Sequence, residues 1–155
     1  AISTVGLVPQ MRRYTREGHP YRLVVSLTSA VESKRKSLLP VAGRTPIEEV
    51  AAAIREHALA TGDRITVAWV LLGGVNDGAD EVDALRALLD GVSVRINLID
   101  VNDARPGGFR RSTDDERGHF RDRLRILGAP VVRRYSGGAG REAACGMLAT
   151  TRHAS

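Results

Sequence analysis

Apolar positions in this chain fall into two alternating patterns. Continuous runs rich in Val, Ile and Leu occupy residues 22–28, 64–72, 93–101 and 131–135. Runs of that kind, too short for buried helices, predict strands covered on both faces. Pro130 is tolerable just ahead of the last strand. Between the runs the period changes to that of a helix. Thr45-Pro46-Ile47-Glu48 reads as a helix start, with threonine as cap, proline at the first helical position and glutamate completing a capping box. The helix that follows carries Ile47, Val50, Ile54 and Ala58 on one face and stops at Gly62. A second helix starts at Ala79, turns Val82, Leu85 and Leu89 inward and ends at Gly91. A third starts near Ser112, buries Phe120, Leu124 and Leu127 and ends at Gly128. A shorter helix is expected over residues 8–16 and another after Arg141.

This alternation predicts an α/β domain with a parallel sheet and right-handed crossovers, either doubly wound or part of a β/α barrel. Periodicity does not separate the two. Polar and glycine residues gather just past the strands: Ser26 and Thr28, then Gly73-Gly74-Val75-Asn76-Asp77, then Asn102-Asp103, then Ser136-Gly137. All of these belong to the C-terminal edge of one sheet, where both architectures bind their ligands.

The chain's 155 residues suffice for one domain, over residues 1–150 with a tail at 151–155, and fall short of the roughly 250 of a closed eight-stranded barrel. No apolar run approaches the about 20 residues of a membrane span, and the start lacks a signal-peptide pattern. The expected location is the cytoplasm. The net charge of +5 comes almost wholly from arginine, Lys34 and Lys36 being the only lysines. Guanidinium forks suit phosphates and stacked bases, so the balance is compatible with RNA, although arginines are spread along the whole chain and aromatic stacking residues are scarce.

The single cysteine, Cys145, cannot form an internal disulfide or supply a cluster's thiolates. It lies in Ala143-Ala144-Cys145-Gly146-Met147-Leu148, behind the loop Ser136-Gly137-Gly138-Ala139-Gly140. By itself such a cysteine is either a small buried hydrophobe or a nucleophile. Ser26 can simply end a strand, Asn102 can make an Asx-turn and Ser3 can cap a helix. His57 and His119 are expected on solvated helix faces, His19 and His153 in a loop and the tail, none at metal-ligand spacing.

In order along the chain stand Ile2-Ser3-Thr4-Val5-Gly6, Val25-Ser26-Leu27, Gly74-Val75-Asn76-Asp77, Asn97-Leu98-Ile99 and Ala143-Ala144-Cys145-Gly146. The set resembles the C-terminal half of the RlmN/Cfr-type radical S-adenosylmethionine RNA methyltransferases, from Ser3 to Leu148. The resemblance implies a partial, TIM-like β/α barrel that binds S-adenosylmethionine, with a 4Fe-4S cluster held by a CxxxCxxC loop in the N-terminal half. It implies a chemistry in which Cys145 first receives a methyl group. A 5′-deoxyadenosyl radical then abstracts hydrogen from that methyl, and the carbon adds to an adenine ring position, carbon 2 in preference to carbon 8. The substrates implied are 23S rRNA and also tRNA; the further partners are an electron donor and the N-terminal half with its second cysteine. Carried over residue by residue, Ser3, Ser26, Leu27, Thr28 and Asn102 line the cofactor pocket, and Gly74-Val75-Asn76-Asp77 serves architecture or substrate positioning.

Several positions depart from the family pattern. Thr28 replaces a histidine, Ala68-Trp69 a Glu-Tyr pair, Gly140-Arg141-Glu142 an Asp-Ile-Asp, and Met147 a glutamine. These favour two alternatives: a diverged radical methylase with a non-ribosomal substrate, or a non-catalytic nucleoside-binding remnant. On the resemblance the chain is a fragment that lacks the cluster loop. It is therefore expected to be inactive alone, and its open barrel edge to make it poorly soluble or self-associating.

Overall fold

The computed structural model describes residues 2–4, 7–20, 22–40, 44–103, 105–125, 128 and 130–134. Five strands, β1 (Ile2–Thr4), β2 (Leu23–Ser26), β3 (Ile65–Leu71), β4 (Val94–Asp100) and β5 (Val131–Arg134), form one sheet. Their order in the sheet is their order in the chain, and every pair is parallel. The helices are α1 (Val8–Glu17), α2 (Glu32–Leu38), α3 (Ile47–Thr61), α4 (Ala79–Leu88) and α5 (Asp114–Leu124).

Sequential strand order decides between the two architectures. A doubly wound sheet reverses its strand order and so places helices on both faces; crossovers of one hand with no reversal place them all on one. Here Val8 and Met11 of α1, Val50 and Ile54 of α3, Val82 and Leu85 of α4, and Phe120 and Leu124 of α5 share one core with Leu23, Val25, Val67, Trp69, Ile96 and Leu98 of the sheet. Trp69 and Phe120, both fully buried, meet with ring centroids 5.7 Å apart. The sheet is singly wound, as in a β/α barrel.

The opposite face is the inner one, and parallel register sorts it into rows. Ser3, Val24, Thr66 and Arg95 form a row near the N-terminal edge. Ser26, Ala68, Asn97 and Val132 form the next. Nearest the C-terminal edge, Val70 and Ile99 pack with Leu72, Val101 and Phe109 and with Leu38 and Leu39 at the end of α2. The burial of β4 shows both faces: Val94, Ile96, Leu98 and Asp100 are buried, and the residues between them are partly exposed. Beyond β1, the outermost described strand on its side, Ser3, Leu7, Met11, Tyr14 and Leu23 line a groove of ≈ 310 Å³.

Local signals held in part. The third expected helix opens with a full capping box, Thr113 with Glu116. Gly62 ends α3 in the left-handed conformation at φ 70°. The start of α3 differs: Pro46 is the cap residue, and no side-chain cap bond forms there. The Ile47 amide instead donates to Glu32 Oε2 at 2.8 Å, so the cap comes from α2. The second expected helix ends at Leu88, ahead of Gly91. α2 was not legible, because its seven residues bury only Arg35 and Leu38 and so display no apolar period. His57 is a correction: it is buried, with Nδ1 2.8 Å from Thr15 Oγ1 and its ring stacked near Tyr14. Burial pushes its pKa down. α1 packs across α3 at this point, a tertiary contact that helix periodicity does not contain. His119 is exposed, as expected.

Candidate functional site

Strand ends and the loops leaving them build the C-terminal edge. β2 delivers Ser26, buried on the inner face, and then Thr28, which has no exposed surface. Thr28 adopts φ +60°, rare for a β-branched residue, and is the only non-glycine residue with positive φ among those described. Such a conformation costs on the order of 1–3 kcal/mol and persists only where the surroundings enforce it.

Two buried side chains do so. Asn76 Nδ2 donates to the Thr28 carbonyl at 2.6 Å and to the Val70 carbonyl at 2.8 Å. Its Oδ1 accepts from the Leu72 amide at 2.8 Å, and its backbone carbonyl accepts from Trp69 Nε1 at 3.3 Å. Asn76 therefore replaces the missing strand neighbours where β3 ends and joins that end to the end of β2. Glu81, at the start of α4 and fully buried, takes the next turn: it accepts from Ser29 Oγ at 2.7 Å and from the Ala30 amide at 2.8 Å. Burial raises the Glu81 pKa, against the opposing pull of the Ser29 and Ala30 bonds and of Lys34. Lys34 Nζ donates to the Val75 carbonyl at 2.9 Å and to Asp80 at 2.7 Å, closing the clamp from α2. The family resemblance assigns the loop Gly74-Val75-Asn76-Asp77 to architecture or substrate positioning without indicating Asn76's partners; Glu81 carries no signal beyond an acidic first helical turn.

The third strand end, after β4, is tied down by a carboxylate. Asp103 accepts from Arg105 Nε and Nη2, both at 2.7 Å, and from the amides of Arg105 at 3.2 Å and Phe109 at 3.1 Å. The Arg105 bonds hold its pKa far below the usual carboxylate range, the backbone bonds adding to them. Arg110 pairs with both oxygens of Glu116 at 2.8 and 2.9 Å. That pairing, with the Thr113 amide, lowers the Glu116 pKa to about 2. The Arg110 carbonyl accepts from the Gly73 amide at 2.9 Å, and a Cβ at Gly73 would lie 2.3 Å from Arg110 Nη1 and 3.0 Å from the Arg111 carbonyl. The residues at 105–112 thus seat Phe109 against the inner face.

A pH dependence follows. Both carboxylates have folded-state pKa values below their unfolded ones, so their stabilisation is complete above about pH 4.5 and declines as the pH falls toward and below 2. The Phe109 amide should keep a constant hydrogen-exchange protection factor from pH 8 to 5. It should then lose up to about tenfold per pH unit for each carboxylate as the loop's open form takes up protons. Unchanged protection at pH 2 would contradict this.

Of the expected site residues, Ser26 and Thr28 stand together at the end of β2, and Asn102, half-buried, follows β4 on the same edge. Ser3 lies on the inner face one row nearer the N-terminal edge, exposed on β1. Leu27 is not brought to the site by its side chain, which belongs to the helix-side core, as alternation along a strand requires; its amide donates to the Ala68 carbonyl. Cys145, with the loop at 136–140, lies outside the described residues. Thr28 Oγ1 and Asn97 Oδ1 are buried without a hydrogen-bond partner among the described residues. The sequence reading places Asn97 in a strand and in the motif Asn97-Leu98-Ile99 and gives it no place in the pocket. No group of three or more His, Cys, Asp or Glu side chains among the described residues could hold a metal ion. No described helix is long and apolar enough to cross a membrane.

A singly wound parallel sheet with its polar residues at the C-terminal strand ends defines a piece of a β/α barrel. Comparison with known proteins gives its relatives. A probable RNA methyltransferase of Myxococcus xanthus is 46% identical over 152 residues, which are 98% of this chain and 42% of that protein. The dual-specificity RNA methyltransferase RlmN of Anaeromyxobacter dehalogenans is 38% identical over 96% of this chain and 40% of its own length. A crystal structure of a radical S-adenosylmethionine methyltransferase from Sphaerobacter thermophilus superposes with a TM-score of 0.84 at 39% identity, over 96% of this chain and 43% of that one. No family model matches. Over nearly its whole length the chain is similar to the C-terminal half of RlmN-type RNA methyltransferases and to part of a radical S-adenosylmethionine methyltransferase. It spans about 42% of the length of the Myxococcus relative.

Proposed function

We propose that this chain forms the C-terminal half, over residues 1–150, of a cytoplasmic radical methyltransferase. Its substrate is an adenine ring carbon, position 2, of 23S rRNA and of tRNA. The observation that supports this most is the C-terminal edge: the buried, strained Thr28 with an unpartnered hydroxyl, beside Ser26 and Asn102 and braced from behind by Asn76 and Glu81.

These residues fit S-adenosylmethionine. Thr28 Oγ1 and Asn97 Oδ1 are neutral polar atoms with hydrogen-bonding capacity to spare, and the small Ser26 and Ala68 leave room on the inner face. When bound, that cofactor supplies an electrophilic methyl group and, once cleaved by an electron, a radical. Ser26, Thr28 and Asn102 orient it through neutral hydrogen bonds, with Ser3 at the β1 side. Cys145, as the thiolate, would displace the cofactor's methyl group from its sulfonium onto Sγ, with S-adenosylhomocysteine as the leaving group. The small neighbours Ala143, Ala144 and Gly146 let both nucleosides approach closely. The chain's single cysteine does not fit a 4Fe-4S cluster, so the cluster, the second cysteine and the contact with an electron donor belong to the other half. A test is mass spectrometry of the Cys145 peptide from the intact protein after incubation with S-adenosylmethionine. A Cys145 peptide heavier by one methyl group is expected; an unmodified cysteine would refute the assignment.

A second reading, a diverged methylase with another RNA substrate, is favoured by Ala68. It stands between Ser26 and Asn97 where the family pattern carries a glutamate.

A further inference from the structure

The N-terminal edge of the sheet, opposite the edge that holds the candidate site, carries a separate cluster. Arg22 directly precedes β2, Arg64 directly precedes β3, and Arg95 is the second residue of β4. With Pro20, Asp63 and Thr66 they line a cavity of ≈ 290 Å³. The starts of three successive strands thus place three arginines around one space whose described lining holds a single carboxylate, Asp63. None of the three arginines makes an ion pair among the described residues; Arg64 Nε donates to Ser93 Oγ at 3.3 Å. Arg95 stands beside Thr66 in the inner-face row near the N-terminal edge, and its Nε is buried without a hydrogen-bond partner among the described residues. Arg22 and Arg64 are exposed, so a large ligand can reach them.

Three arginines around one space favour an anion there, and planar guanidinium forks suit the oxygens of a tetrahedral oxyanion. We propose that this cavity binds a backbone phosphate of the RNA substrate. That the oxyanion belongs to RNA rests on the function proposed above; the cavity's choice of an oxyanion does not. The site lies roughly 23 Å along β4 from Asn102, at about 3.3 Å per residue. It therefore acts as a second hold on the RNA, remote from the reacting base, and as a phosphate contact it is indifferent to sequence.

The test is a titration of the intact protein with a fluorescent 20-nucleotide single-stranded RNA between 50 and 200 mM salt. The double substitution R22Q/R64Q is compared with wild type and with R13Q, which alters an exposed arginine on α1. The double variant should bind about tenfold more weakly at 100 mM salt, for RNA of any sequence. Its slope of log affinity on log salt should be shallower by about 0.7, the contribution of one single-strand phosphate contact. R13Q should match wild type. An unchanged slope in R22Q/R64Q overturns the proposal. So does a lowered melting temperature with the slope intact, the result expected if a carboxylate of the protein itself fills the cavity. Wild-type protein that fails to bind RNA at all overturns both this proposal and the RNA reading beneath it, whereas RNA-binding wild type with indifferent variants overturns the cavity assignment alone.

Discussion

Replacing Cys145 with alanine should abolish methyl transfer by the intact protein, lowering the rate on the order of 10⁴-fold or more, as removal of a covalent nucleophile does. Alanine has no atom to carry the methyl group. Serine should fail almost as completely, because its hydroxyl is not ionised at neutral pH and attacks a methyl group poorly. Binding of S-adenosylmethionine and of RNA should survive in both variants, since the proposed contacts to them come from Ser26, Thr28, Asn102 and the arginines. The measurement is transfer of deuterated methyl from the cofactor to RNA, alongside cofactor affinity by calorimetry. Transfer by the alanine variant within tenfold of wild type would show that Cys145 is the small buried hydrophobe that its alanine neighbours also suit.

The second large effect concerns Asn76. Replacing it with alanine should cost about 3–5 kcal/mol of stability, because three buried backbone groups lose their partner at once: the carbonyls of Thr28 and Val70 and the amide of Leu72. Aspartate should be nearly as harmful. It can still accept from Leu72, but it places a second acceptor against two carbonyls where the amide nitrogen donated. Denaturant unfolding of the intact protein checks this, and a loss below 1 kcal/mol for N76A would show that the strand ends hold without the latch. Thr28 should feel the change first, since its left-handed backbone depends on that 2.6 Å bond. Cofactor affinity should therefore fall in N76A even at temperatures where the protein stays folded.

The β/α alternation and the stop at Gly62 were readable because each is a local rule written in adjacent residues; the capping box of Thr113 and Glu116 is equally local, but the sequence reading, which starts that helix near Ser112, does not name it. The placement of Ser26, Thr28 and Asn102 on one edge was readable for the same reason: parallel strands put all their C-terminal ends together. What failed to show depends on pairs far apart in the chain. Glu32 caps α3 across 15 residues and displaces the threonine cap that the local motif suggests. His57 is buried by α1, 42 residues before it. Arg22, Arg64 and Arg95 look like scattered surface charge until strand register brings them around one cavity. The choice between barrel and doubly wound sheet likewise waited on strand order, which no periodicity encodes. Leu27 was placed in the pocket by its neighbours, whereas the alternation of side chains along β2 sends it into the core.

The most direct measurement is to compare nucleosides from ribosomal RNA and tRNA of cells that carry and cells that lack the gene, by mass spectrometry after complete digestion. The account predicts a ring-methylated adenosine, 2-methyladenosine, that disappears with the gene and returns when it is restored with Cys145 intact. Identical nucleoside profiles in the two strains would contradict it.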